Sequence, residues 1–427
     1  MTLPRLTTFA ALRHPDYRRF WTGMVVSLVG QWVQSTAQSF LVWQLTRSPL
    51  ATSLTTLFFS LPSTLLALLG GVAADRVDRR RLLLVTQSVF MVQAAVLAAL
   101  TFTGRVQVWH IYLLALLNGT VMAFDAPARQ SLIPSLVARQ DLTNAIALNS
   151  TAFNGSRVIG PPIGGLIYAA VGPAWCFALN AVTYPAILIA LWSIRPSRAA
   201  PRDGSRPLRD LRDGVAFAWR NPLIRGLLLM VALNGAFAFT YIVLMPVVAS
   251  QVLGGGAREN GFLIGAAGVG ATLGALGVAS VGTPRRPGRV IVTFGLLGGL
   301  GLVALSLSRQ LGLSMAITAF AAGAIMAFMA TCNSTIQAYT PDALRGRVMS
   351  LYTLALIGSG PFNALLAGAL GNLIGAPLTI AVSGVLLGIS ILAIASRHRP
   401  MVDLDTYAPR LVPAEVEPAL QPASSTR

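Results

Sequence analysis

The sequence predicts an all-α membrane protein: twelve transmembrane helices arranged as two six-helix bundles. Three observations carry this reading. Of 427 residues, 54% are hydrophobic and 11% charged, against about 25% charged in a water-soluble domain. The apolar residues fall into a dozen runs, each near the roughly 20 residues needed to cross a bilayer core of about 30 Å. Arginines gather in every second connection between those runs.

Reading the runs between Arg, Pro and Gly gives six spans near 20–45, 51–74, 82–103, 109–133, 143–170 and 173–194. Six more follow near 226–252, 258–282, 289–308, 311–339, 347–374 and 376–396. Helices are required because backbone groups in lipid must bond within their own segment, and nothing alternates as a barrel strand would. Residues 1–194 form an N-terminal bundle in this reading, 226–396 a C-terminal bundle, and 397–427 a disordered cytoplasmic tail rich in Pro, Ala and Glu. Residues 195–225 are a cytoplasmic connector in which Leu208, Leu211, Val215, Ala218 and Trp219 recur at helical spacing. That pattern suits a short amphipathic helix on the membrane surface. The first apolar run is long enough to span and follows Arg5, Arg13, Arg18 and Arg19, so no cleavable leader is expected.

The chain contains no Lys, and its net charge is +18. With a cytoplasmic N-terminus, 27 Arg lie in inner segments, while the outer loops hold only Arg47, Arg105, Arg258 and Arg309. This is the positive-inside pattern; it puts both termini in the cytoplasm of an inner-membrane protein and spreads the charge too widely for a nucleic-acid partner. Cys176 and Cys332 sit in apolar stretches and read as packing residues.

Ser150, Gly160 and Pro161 recur 200 residues later as Ser350, Gly360 and Pro361. With six spans either side of a connector, they favour a duplicated unit whose halves rock about a central site. Between spans two and three lies Gly71-Val-Ala-Ala-Asp75-Arg76-Val-Asp78-Arg79-Arg80. Gly71 would let helices approach, Asp75 end a helix, and the Arg cluster pair with carboxylates across the bundle. This stretch resembles the signature loop of the major facilitator superfamily, with Asp78 where that family has Gly. The resemblance implies the major facilitator fold and a latch between halves in the outward-facing state; the bland reading is a basic turn.

The second-half counterpart, Gly282-Thr-Pro-Arg285-Arg286-Pro-Gly288-Arg289, lacks the Asp. In span five, Ser156-x-x-x-Gly160-Pro161-x-x-Gly164-Gly165 resembles the superfamily's antiporter motif, with Ser for the leading Gly. That likeness favours export by exchange, and plain small-residue packing is the alternative. Phe124-Asp125-x-Pro127-Ala128-Arg129-Gln130, Asn144-Ala145-x-Ala147-Leu148-Asn149-Ser150 and Pro341-Asp342-x-Leu344-Arg345-Gly346-Arg347-Val348-Met349-Ser350 resemble the branch of enterobactin exporters and macrolide efflux pumps.

Among the acids only Asp125 falls inside a span, with Arg129 one turn on; it is either a proton-coupling carboxylate or a structural partner of Arg129 or Arg157. Arg157 is the lone mid-membrane base, serving either an anion or a structural pair. Ser27, Gln31, Gln34 and Gln38 share a narrow face of span one, which lipid would exclude. The resemblance makes the first, fourth, seventh and tenth spans the cavity wall, adding Asn118, Asn234, Phe237, Tyr241, Asn333 and Gln337 as candidates. Interhelical bonding is the competing role for each. The cytoplasmic gate would join Gly71, Asp75, Arg76, Arg79, Arg80, Asp125 and Arg129 to Asp342, Arg345 and Arg347.

ATP hydrolysis by a Gly-x-x-x-x-Gly-Lys loop is impossible without Lys. His14, His110 and His398 are too scattered for a metal, and no cofactor or enzymatic activity is expected. The sequence thus points to a monomeric, proton-coupled secondary exporter of small amphipathic molecules in the lipid bilayer. An uptake permease and a non-transporting scaffold or sensor are the rival readings.

Overall fold

The computed structural model describes residues 9–194, 207–281 and 286–397. Twelve spans run in order: Pro15–Thr46, Pro49–Leu65 with Ala67–Arg76, Arg79–Phe102, Val108–Leu136, Leu142–Val171, Pro173–Ser193, Pro222–Phe237 with Thr240–Val247, Ala257–Val281, Pro287–Leu307, Leu311–Ala338, Asp342–Gly358 with Gly360–Ile374, and Ala376–Arg397. Residues 195–206 and 398–427, the first part of the expected connector and nearly all of the expected tail, lie outside the described residues, as do Gly282 to Arg285.

Nine of these spans are long and apolar enough to cross a membrane, and the bent second span makes a tenth. The two that fall short are spans one and five, of 32 and 30 residues. They fall short in apolarity, not length, because they carry the Gln face and Arg157. Both are flanked by other helices: span one by spans five and six, span five by spans one and eight.

Local chemistry sets the helix ends. Proline opens several spans, where its missing N–H costs nothing. The Ser48 hydroxyl accepts from the Ala51 amide at 3.2 Å, and Asn221 caps span seven. Gly172 and Gly375, at φ 91° and 82°, turn the chain between spans five and six and between spans eleven and twelve. That matched pair of left-handed turns repeats the duplication seen in the sequence.

Three spans are broken. Span two bends by 52° after Pro62. Span seven breaks at Ala238–Phe239 and ends in a π turn over Val248–Val252. Span eleven breaks at Ser359. The freed groups of span seven find a partner: Asn363 Nδ2 donates to Ala236 O at 2.8 Å and to Thr240 Oγ1 at 3.0 Å. Irregular backbone at this depth is tolerated where protein surrounds it or where it lines a water-filled cavity.

The connector helix occupies Pro207–Arg220, where amphipathic spacing predicts it. It packs on the first turns of span eleven, with Gly214 against the Arg347 backbone. Those turns begin at Asp342, so the expected loop before residue 347 is helical. At the other end of the chain, a short 3-10 turn, Ala10–Arg13, docks on span five. The Ala11 amide donates to Asn144 Oδ1, Tyr17 to Ala145 O, Trp21 to Leu148 O, and His14 pairs with Asp141 at 2.8 Å.

The two bundles meet through spans two and eleven and through spans five and eight. Their touching residues lie on the half away from the Arg-rich face. In span two these are Leu50, Ser53 and Ser60 against Gly368 and Gly360. In span five they are Pro161, Pro162 and Gly165 against Gly261, Gly265 and Ala257. Arg47, at the end of span one, reaches across to Ser250 Oγ at 3.4 Å. The molecule is closed on that side.

Candidate functional site

The antiporter-like motif lies on this seam. Its residues divide by helical spacing: Ser156, Gly160 and Gly164 face span one, where Gly160 meets Trp32 and Gly164 meets Val33. Pro161 and Gly165 face span eight of the other bundle, and a Cβ on Gly165 would come within 2.5 Å of Ala257 O. Small residues here therefore serve two close packings at once.

Arg157 follows Ser156 into the space between the bundles. It is half-buried, forms no hydrogen bond or ion pair with the described residues, and stacks over the Trp32 ring at 6.0 Å. Tyr241 of span seven lies within its electrostatic reach. The structural ion pair that the sequence allows for Arg157 is absent among the described residues. Ser156 Oγ on the preceding residue, and both amide atoms of Asn234 in span seven, are buried with no partner among the described residues.

The structure divides the expected cavity wall. Gln34 is withdrawn from it: its Nε2 donates to Gln93 at 3.0 Å and its Oε1 accepts from Asn180 at 2.7 Å, tying spans one, three and six inside one bundle. Gln38 and Ser27 are also buried, while Gln31 is half-buried. Asn118 keeps an unpartnered Oδ1, and Phe237 is half-buried. Tyr241 is buried at 1% exposure. Gln337 donates to Asn333 at 2.6 Å near the Arg-rich end of span ten. Periodicity finds the polar face of span one but cannot say whether water or an amide partner covers it.

Asp125 is fully buried between spans three and four. Thr86 and Gln87 donate to its Oδ1 at 2.8 and 2.7 Å, and Arg129 pairs with Oδ2. Arg157 takes no part. Thr86 and Gln87 are partners of Asp125 that the sequence gives no reason to single out.

Among the described residues, Asp75, Arg76, Arg79 and Arg80 make no bond to Asp342 or Arg345. Asp75 and Arg76 are exposed and form no side-chain bond with the described residues. Arg79 donates to Ser131 O at 3.1 Å, and Arg80 donates to Leu191 O and Trp192 O, both at 2.6 Å, at the end of span six. Across the opening, Arg345 pairs with Asp342 of its own helix and donates to Gln337 O. Every one of these bonds stays within its own bundle.

One expectation about the signature loop needs correcting, and its departure from the family pattern finds a cause. Gly71 faces open space and makes no close helix contact; Gly70 does, against Ala123 O. Asp78 is the N-cap of span three, accepting from the Arg80 and Arg81 amides at 2.9 and 3.2 Å. That accounts for a carboxylate where the signature has glycine.

A model of the family described as transmembrane secretion effectors matches residues 6–425. An enterobactin exporter of Shigella boydii is 28% identical over 374 residues, covering 87% of this chain and 89% of that protein. One from Escherichia coli matches to the same extent. Among solved structures, a bacterial homologue of the human lysosomal transporter Spinster, inward-facing and unoccupied, superposes with a TM-score of 0.69 at 17% identity, over 92% of this chain and 98% of that one. An inward-facing bacterial homologue of the iron transporter ferroportin gives a TM-score of 0.70 at 14% identity, over 90% and 98%.

Proposed function

Because the chain belongs to the transmembrane secretion effectors of the major facilitator superfamily, we propose that it carries siderophore- or drug-type amphipathic molecules out of the cell by alternating access. The observation that carries this reading is the asymmetric contact between bundles. Backbone and glycine seal one half of the interface, while the gate residues of the other half stay apart.

The positive-inside rule makes the Arg-rich face cytoplasmic, so this geometry is the one that loads cargo from the cell interior. Residues 1–194 and 226–396 act as the two moving bodies. The 195–225 connector and the 397–427 tail stay on the cytoplasmic side. Asp75, Arg76, Arg79 and Arg80 close against Asp342, Arg345 and Arg347 in the outward-facing state. Asp75, Arg76, Asp342 and Arg345 are exposed here, which supports that reading.

A proton gradient is the proposed energy source. Asp125, the one carboxylate deep in a described span, is the coupling candidate. Its three polar contacts, from Thr86, Gln87 and Arg129, equally suit a fixed strut. Cells producing the chain and loaded with macrolides, dyes or siderophores should lose them faster than non-producing cells, and an uncoupler should remove the difference. Equal retention across the whole panel would sink the export reading.

A further inference from the structure

Span one carries two tryptophans, each stacked by an arginine that has no acidic partner among the described residues. Trp32 pairs with Arg157 at 6.0 Å and Trp43 with Arg47 at 5.9 Å. Eleven residues separate the rings, which is about three helical turns. They therefore share one face of the span, about 16 Å apart along its axis. The first pair lies at mid-depth. The second lines a cavity of 350 Å³ at the closed mouth, together with Phe40, Gln44, Tyr168 and Ser250.

Arg157 makes no ion pair, and an uncompensated charge at mid-membrane costs several kcal/mol unless a ligand or water answers it. Arg47 holds a left-handed backbone at φ 52°, and its one side-chain hydrogen bond among the described residues is the 3.4 Å contact to Ser250. Glu259, the carboxylate beside that mouth, is already engaged by the Gly256 amide at 2.6 Å. Arg258 stacks on Phe262 and adds a further positive charge. Unpartnered polar atoms accompany both pairs: Ser156 Oγ beside Arg157, and the indole N–H of the fully buried Trp43.

We propose that Trp32–Arg157 and Trp43–Arg47 are two successive stations for a cargo bearing an acidic group on an aromatic body. Guanidinium answers the acid and indole answers the ring. The first station takes cargo in the state seen here, and the second receives it as the closed mouth opens. Aromatic cations are disfavoured at both. This rests on the exporter reading and narrows its substrate class.

The test uses the full chain in detergent with three probes of one shape: 1-naphthoate, its uncharged amide, and 1-naphthylmethylammonium. Calorimetry is expected to show the acid binding about tenfold or more tighter than the amide, with the cation weakest. Arg157→Gln should bring acid and amide within about twofold, while Arg157→Lys keeps a preference for the acid. Arg47→Gln should slow naphthoate release from proteoliposomes several-fold. Equal binding of acid and amide by the unaltered chain, no naphthoate binding at all, or an unchanged ratio in Arg157→Gln would each overturn the proposal. Efflux of the amide and of neutral dyes separates the two claims. If these are exported without acid preference, the anion stations fail alone; if no compound of any charge moves, the exporter reading fails.

Discussion

At the scale of single residues, the Arg-rich loops divide their labour in a way that residue type does not reveal. Arg80 spends its donors on the last carbonyls of span six, groups that every helix leaves unsatisfied. A carbonyl acceptor has no signature in the sequence, so this role was not legible, whereas the Asp125–Arg129 spacing was. Removing one partner of that pair leaves a buried charge, at a cost of about 3–5 kcal/mol. Asp125→Ala should therefore lower the melting temperature in detergent sharply, and the double change with Arg129→Ala should cost less than the two singles combined. Additive losses would mean that the pair is not what holds the site. Asp78 makes a gentler case. Loss of its cap in Asp78→Ala should cost about 1 kcal/mol, and Asp78→Gly only a few tenths. A glycine variant melting as low as the alanine one would contradict the capping role.

At the scale of elements, the spans themselves were the most legible part of the molecule. Length and apolarity place all twelve within a few residues. The exceptions are span one, which starts at Pro15 rather than residue 20, and span eleven, which starts at Asp342 rather than 347. In both, charged residues at the membrane edge continue the helix into water, where hydropathy gives no guidance. The breaks were not legible. Span seven breaks at Ala238–Phe239 ahead of its only internal proline, Pro246. What stabilises the break is Asn363, 123 residues beyond Thr240. Asn363→Leu should leave Ala236 O and Thr240 unbonded and destabilise the fold by about 1–3 kcal/mol. Denaturant melts of the purified chain would read this, and an unchanged midpoint would show that water can replace the amide.

At the scale of the whole molecule, two bundles and a basic face follow from the sequence, but which side is shut does not. The same residues must fit both closures, so pattern alone is silent on the resting state. The seam explains the choice seen here. A Cβ on Gly261 would strike Pro161 O, and one on Gly368 would strike Ser53. A bulkier residue should wedge that half open. In a background with Cys176 and Cys332 changed to alanine, Ser53→Cys should react slowly with a polar thiol reagent and several-fold faster once Gly261→Leu is added. Equal rates would mean the seam does not set the resting state. Apart from the contacts of Arg47 and Thr64, side-chain bonds across this interface are few among the described residues. It is held mainly by dispersion, about 0.1–0.2 kcal/mol for each pair of atoms. Such a joint has no catch to release. It peels apart gradually and re-forms wherever the shapes match, so two stiff bodies can part and meet thousands of times without breaking a strong link.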